Sequence, residues 1–110
     1  MRRVVLDTNI FISAFATPHG IASRIYKLWE QGQFILVISE YILAEFYRIA
    51  VQKIHLEPSF AFRIICQLQY LGEVVEPQPF IWPGIEETDL PIIGTALAGR
   101  AEKLVTGDKA

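Results

Sequence analysis

Cysteine is almost absent from this chain: Cys66 is the only one in 110 residues. That excludes an intramolecular disulfide, and one thiol cannot by itself build a thiolate metal site. Histidine is scarce too, with only His19 and His55, so no paired-His pattern speaks for zinc. Charge is thin: 10 Lys and Arg against 12 Asp and Glu give a formal net charge of -2, with a pI of about 5.6. The bulk positive charge that drives non-specific nucleic-acid binding by counterion release is missing. Any polyanion must therefore be held by local contacts. No apolar run approaches the length of a membrane span. Met1-Arg2-Arg3 resembles the positive start of a signal peptide, but Asp7 stops the apolar run behind it after Val4, Val5 and Leu6, too soon for a hydrophobic signal core. These absences lead to the expectation of a cytoplasmic protein with no membrane segment.

What the chain does have is apolar mass. Hydrophobic residues make up 52% and charged ones 20%, enough for one domain-sized core across residues 1–110. The mean hydropathy of +0.32 is high for a small domain and points to apolar surface covered by a partner or a second copy, a homo-oligomer.

Apolar runs without polar alternation predict strands buried on both faces, as in a parallel sheet, at Arg3 to Leu6 and at "FILVIS", Phe34 to Ser39. Pro18-His19-Gly20 reads as a loop. Ile21, Ile25, Leu28 and Trp29 recur at helical spacing up to Gly32. Ser39 fits the N-cap of a helix "EYILAEFYRIAVQKI", with Glu40 complementing its dipole. Pro58 opens another helix, with Phe60, Ile64, Leu68 and Leu71 as its stripe before Gly72. "EVVE" predicts a short strand and "PQPFIWPG" an irregular loop. Thr88 is placed as the cap of a helix with Asp89 in its first turn and Ile93, Leu97 and Ala101 as its stripe; "KLVTGD" closes as a strand. The alternation of strands and helices predicts an α/β fold, a three-layer α/β/α sandwich around a central parallel sheet.

In such a sheet, ligands bind beyond the carboxyl ends of the strands. Asp7 ends the first strand, Asp108 the last, Asp89 starts the helix between, and Glu45 lies in the second turn of the helix after "FILVIS". Taken singly each has a plain explanation: a turn residue, a solvated helix position, a charge at a helix terminus. Together they lead to the expectation that all four converge on one edge. Clustered carboxylates repel unless a cation sits among them, and hard oxygen donors suit Mg²⁺ or Mn²⁺.

The segments "VVLDTNIFISAF", "LVISEYILAEFYRI" and "TDLPIIGTALAGRAEKLVTGD", in this order, resemble the PIN-domain nucleases, especially the toxins of toxin-antitoxin pairs. The resemblance spans the whole chain. It implies a metal-dependent ribonuclease with RNA as substrate, an antitoxin protein as partner, and Asp7, Glu45, Asp89 and Asp108 as catalytic and metal-binding residues. It also implies supporting roles for Asn9, bracing the loop behind Asp7, and Thr106, orienting a carboxylate or water. Relatives commonly continue with a further strand and helix, whereas this chain stops at Ala110. On that pattern the final strand lies at a sheet edge, and an alternative arises: a catalytically impaired, truncated module that binds a protein partner. Phosphotransfer through an aspartyl-phosphate on Asp7 ranks lower, because Asn9 stands where such enzymes carry a second Asp.

The remaining residues receive structural readings. Glu40 decorates a helix start, and Glu86 and Glu87 are solvated loop charges. His19 and His55 are surface or loop residues. Cys66 is a small core residue, Trp29 is core, and Trp82 is core or partner surface. Arg48, one turn beyond Glu45, is a salt-bridge partner or a phosphate contact.

Overall fold

The computed structural model describes residues 1–79, 83–87 and 89–106. The elements run β1 (Arg3–Leu6), α1 (Thr8–Ala16), α2 (Ile21–Glu30), β2 (Ile35–Ile38), α3 (Glu40–Gln52), α4 (Pro58–Leu71), β3 (Glu73–Val74), α5 (Leu90–Ala98) and β4 (Lys103–Val105). The strands form one sheet in the order β3-β2-β1-β4, every pair parallel, with Val5 level with Val37 and Leu104. This is the expected α/β/α sandwich on a parallel sheet.

The two central strands carry the core because neither face meets water. Val5, Val37 and Ile38 are wholly buried. On β2, Val37 meets Gly99 at the end of α5, where an added Cβ would lie 2.2 Å from Val37 Cγ1. Alternation along the strand turns Leu36 and Ile38 to the opposite face, where Gly72 closes α4 against Ile38. At the amino ends of the strands, Arg3 pairs with Glu73 and donates from Nε to the Gly99 carbonyl at 2.7 Å. That leaves the carboxyl ends to form the other edge.

Several expectations change. The stretch after Asp7 forms α1. The apolar run "IFISAFA" hid its periodicity, because nearly every position is hydrophobic; only packing picks out Thr8, Ile10, Phe11 and Ala14 as the buried side. On α5 the buried side is Ile92, Gly94 and Thr95 rather than the expected stripe of Ile93, Leu97 and Ala101, and Leu97 is 47% exposed. Close approach selects that face, since only Gly99 fits against Val37. Burial on α2 falls to Tyr26 and Trp29, with Ile21 and Leu28 exposed; on α4 Ile64 and Leu68 are buried while Phe60 and Leu71 face outward. Cys66 is exposed rather than core. Phe80, Ile81, Trp82, Thr88, Gly107 and Asp108 lie outside the described residues. Among those described, no helix is long and apolar enough to cross a membrane.

Candidate active site

Asp7 answers two demands at once. Its backbone leaves β1 with the N–H donating to the Val105 carbonyl at 3.0 Å, which aligns the carboxyl ends of β1 and β4. Its side chain then caps α1, accepting from the Ile10 N–H at 3.2 Å. Asp is among the best residues for this position because its oxygen satisfies an otherwise orphaned helix donor. The carboxylate is consequently pinned at the sheet edge and only 8% exposed.

Thr8, the first residue of α1, is buried, and its hydroxyl donates to Glu45 Oε1 at 2.5 Å. Glu45 itself comes from the second turn of α3, whose start is fixed by Ser39 Oγ accepting from the Ile42 N–H at 3.5 Å. Ser39 is in turn 2.8 Å from Thr95 Oγ1 on α5, both side chains being fully buried. Asp89 occupies the N-cap position of α5 without a side-chain capping bond, so its carboxylate is not consumed by the helix.

These elements enclose a cleft of about 600 Å³ whose lining includes Asp7, Glu45, Glu86 and Asp89, together with Thr8, Asn9 and Thr106. Three of the four expected acids are thus brought to one cavity, with both expected helpers. Asp108 lies outside the described residues. Asn9 is exposed in the first turn of α1, and the hydrogen bond seen on the Asp7 side chain comes from Ile10. Glu86, read as a solvated loop charge, is exposed but lines the cleft. Glu40 is away from it, accepting from Gln69 Nε2 on α4 at 3.2 Å.

Tyr41 and Arg48 complete the picture. Tyr41, Glu45 and Arg48 follow one another at helical spacing on α3. Burial, then the charges of Glu45 and Asp89, push the Tyr41 phenol above its ordinary value, with Arg48 pulling the other way. The phenol therefore stays protonated beside the acids. Among the described residues Arg48 belongs to no ion pair; the pair that forms is Arg3–Glu73. Sequence reading missed Thr8 and Tyr41 as site residues. Tyr41 could have been found four positions before Glu45, whereas Thr8 needed knowledge of α1.

The donor set is chemically consistent with a hard divalent ion: the cleft's side-chain donors are carboxylates, hydroxyls and an amide, with no His or Cys among the described lining residues. Among the described residues no three acids close into a ready-made metal cluster. The carboxylates in the cleft that could take part in holding an ion are those of Asp7, Glu45, Glu86 and Asp89.

The fold class is a parallel α/β/α sandwich with an acid-lined cleft at the carboxyl edge of its sheet. The PIN domain family matches residues 3–110, and the chain belongs to that family. Comparison with curated proteins returns no match. PIN domains are generally nucleases and typically use divalent metal ions.

Proposed function

We propose that this chain is a Mg²⁺- or Mn²⁺-dependent endoribonuclease of the toxin type, acting in the cytoplasm and held in check by an antitoxin protein. The observation that carries the reading is the meeting of Asp7, Glu45 and Asp89, from three separate segments, on the wall of one cleft. A bound divalent ion supplies charge neutralisation on the phosphodiester and acidifies a water for attack. Asp7, fixed by its capping bond, gives a carboxylate of set position; Thr8 orients Glu45 toward the same space; Asp89 adds a third carboxylate, and the family resemblance assigns Asp108, outside the described residues, to the same set. Thr106 lines the cleft, where its hydroxyl would orient a carboxylate or water. Asn9, exposed on the cleft's lining, would brace the backbone behind Asp7.

A second reading, a protein-binding module with impaired catalysis, is favoured by the outward apolar side chains of α4: Phe62, Tyr70 and Leu71. Such a surface also suits an antitoxin or a second copy of the chain.

The two readings separate in one experiment. Single-stranded RNA of mixed sequence is incubated with Mn²⁺ or Mg²⁺, or with chelator, using the wild type and Asp7→Asn. Asn caps helices about as well as Asp, so this variant removes charge while keeping the fold. The expected result is metal-dependent cleavage that falls at least a hundredfold in Asp7→Asn. Equal activity in the variant overturns the site, and a folded wild type without cleavage favours the binding module.

A further inference from the structure

A second groove, of about 320 Å³, adjoins the acid cleft and is lined by Tyr41, Pro77, Gln78, Pro79, Leu90 and Pro91. Its walls are built rather than incidental. The Gln78 N–H donates to the Gly94 carbonyl at 2.9 Å, laying the Pro77–Pro79 segment directly on α5. Only glycine permits that approach: a Cβ on residue 94 would lie 2.5 Å from the Gln78 carbonyl oxygen and 3.3 Å from Pro77 Cβ. Proline rings have little rotamer freedom to lose on binding, so this wall is pre-organised. Tyr41 on α3, half-buried, also lines the groove.

The groove neighbours the cleft, and the charges of Glu45 and Asp89 reach Tyr41. Tyr41 lies one helical turn before Glu45, and Leu90 and Pro91 follow Asp89 directly. A molecule whose phosphate reached the acids would place its neighbouring group between Tyr41 and the prolines. Among the described lining residues there is no cation for a phosphate and no carboxylate for a metal. The groove offers flat apolar walls beside the Gln78 side-chain amide, which suits a planar ring with a hydrogen-bonding edge. The chain's net charge of -2 also means that RNA cannot be held chiefly by bulk electrostatics. Stacking on aromatic side chains is the sequence-tolerant alternative.

We propose that this groove is a nucleobase subsite, in which the base adjoining the scissile phosphate stacks on the Tyr41 ring against Pro77, Pro79 and Pro91. The assignment rests on the nuclease reading for its choice of ligand, but it is tested by binding, which needs no turnover.

The test measures fluorescence anisotropy of a labelled single-stranded RNA, and of an abasic ribose-phosphate strand of equal length, in chelator so that no cleavage occurs. The wild type should bind the RNA more tightly than the abasic strand. Tyr41→Ala should bind RNA roughly tenfold more weakly and lose the preference, while Tyr41→Phe keeps it. Tyr41→Leu, which retains bulk without a ring, guards against a folding defect and should behave as the Ala variant does; thermal melts verify that each variant is folded. The proposal is overturned if the wild type binds both strands equally or neither, or if the Ala and Leu variants bind RNA as the wild type does, the outcome expected of a protein-facing groove. Base-dependent binding without cleavage in metal would sink the nuclease reading and leave the subsite standing; cleavage with base-independent binding would do the reverse.

Discussion

The Thr8 hydroxyl donates to the Glu45 carboxylate at 2.5 Å, joining the first residue of α1 to the second turn of α3 in the cleft lining. One acid caps α1 and the residue beside it holds the next acid, so the dipeptide Asp7-Thr8 sets two carboxylates with one helix start. Thr8→Val preserves shape and removes the donor. Because Glu45 is half-buried and water can replace part of the lost bond, the cost should be about 1–2 kcal/mol, toward the low end for a bond to a charged group. Calorimetric Mn²⁺ affinity should fall with it, and Thr8→Ser should restore both. A Thr8→Val protein with unchanged melting and unchanged Mn²⁺ binding would show that Glu45 is positioned by α3 alone.

Ser39 and Thr95 tie the other pair of helices. Thr95 Oγ1 lies 2.8 Å from Ser39 Oγ and 2.7 Å from the Pro91 carbonyl, and a hydroxyl has a single proton to give. The satisfied arrangement runs one way: the Ile42 N–H donates to Ser39, Ser39 to Thr95, and Thr95 to Pro91. Thr95→Val breaks this chain in a fully buried place and leaves the Ser39 hydroxyl without its acceptor, a loss of about 1–3 kcal/mol. Urea denaturation should register it as a lower midpoint at constant slope. Thr95→Ser should recover most of it. A Val variant as stable as the wild type would mean that apolar packing, not the hydroxyl chain, holds α3 to α5.

The contrast between these two contacts and the acids explains what was legible in the sequence. Asp7, Glu45 and Asp89 could be read because a parallel topology places every strand's carboxyl end on one edge, so position within an element predicts position in space. The strands themselves could be read because runs such as "VVL" and "ILVI" lack polar alternation. Helix α1 could not, since an all-apolar run has no stripe, and the α5 stripe was misplaced because its inward face is chosen by Gly99 meeting Val37, a contact far apart in sequence. Thr8, Tyr41 and Thr95 act through partners on other elements or through a cavity wall, and no local pattern encodes such a partner. The opening Asp, ambiguous between turn residue and ligand, proved to be a helix cap whose carboxylate also lines the cleft.

Tyr26 provides a test of the core that is independent of the site. It is 6% exposed, packs edge-on against Phe15 and Trp29, and donates its hydroxyl to Gln67 Oε1 at 3.1 Å. Burial first, and the charge of Glu30 second, hold its phenol protonated far above the usual value of 10.0. Below that value folded and unfolded chains bind the same proton, and Tyr26 contributes no pH dependence. Above it the unfolded chain releases a proton that the folded chain retains, so the folded state is penalised and stability falls as pH rises, by up to about 1.4 kcal/mol per pH unit. Tyr41, raised in the same direction but less enclosed, adds a smaller share. In urea melts taken from about pH 9 to about pH 11, Tyr26→Phe should lie below the wild type at the lower pH, for want of the Gln67 bond, and lose less stability as pH climbs. Parallel curves for the two proteins would show that the Tyr26 phenol ionises as freely in the folded chain as in the unfolded one.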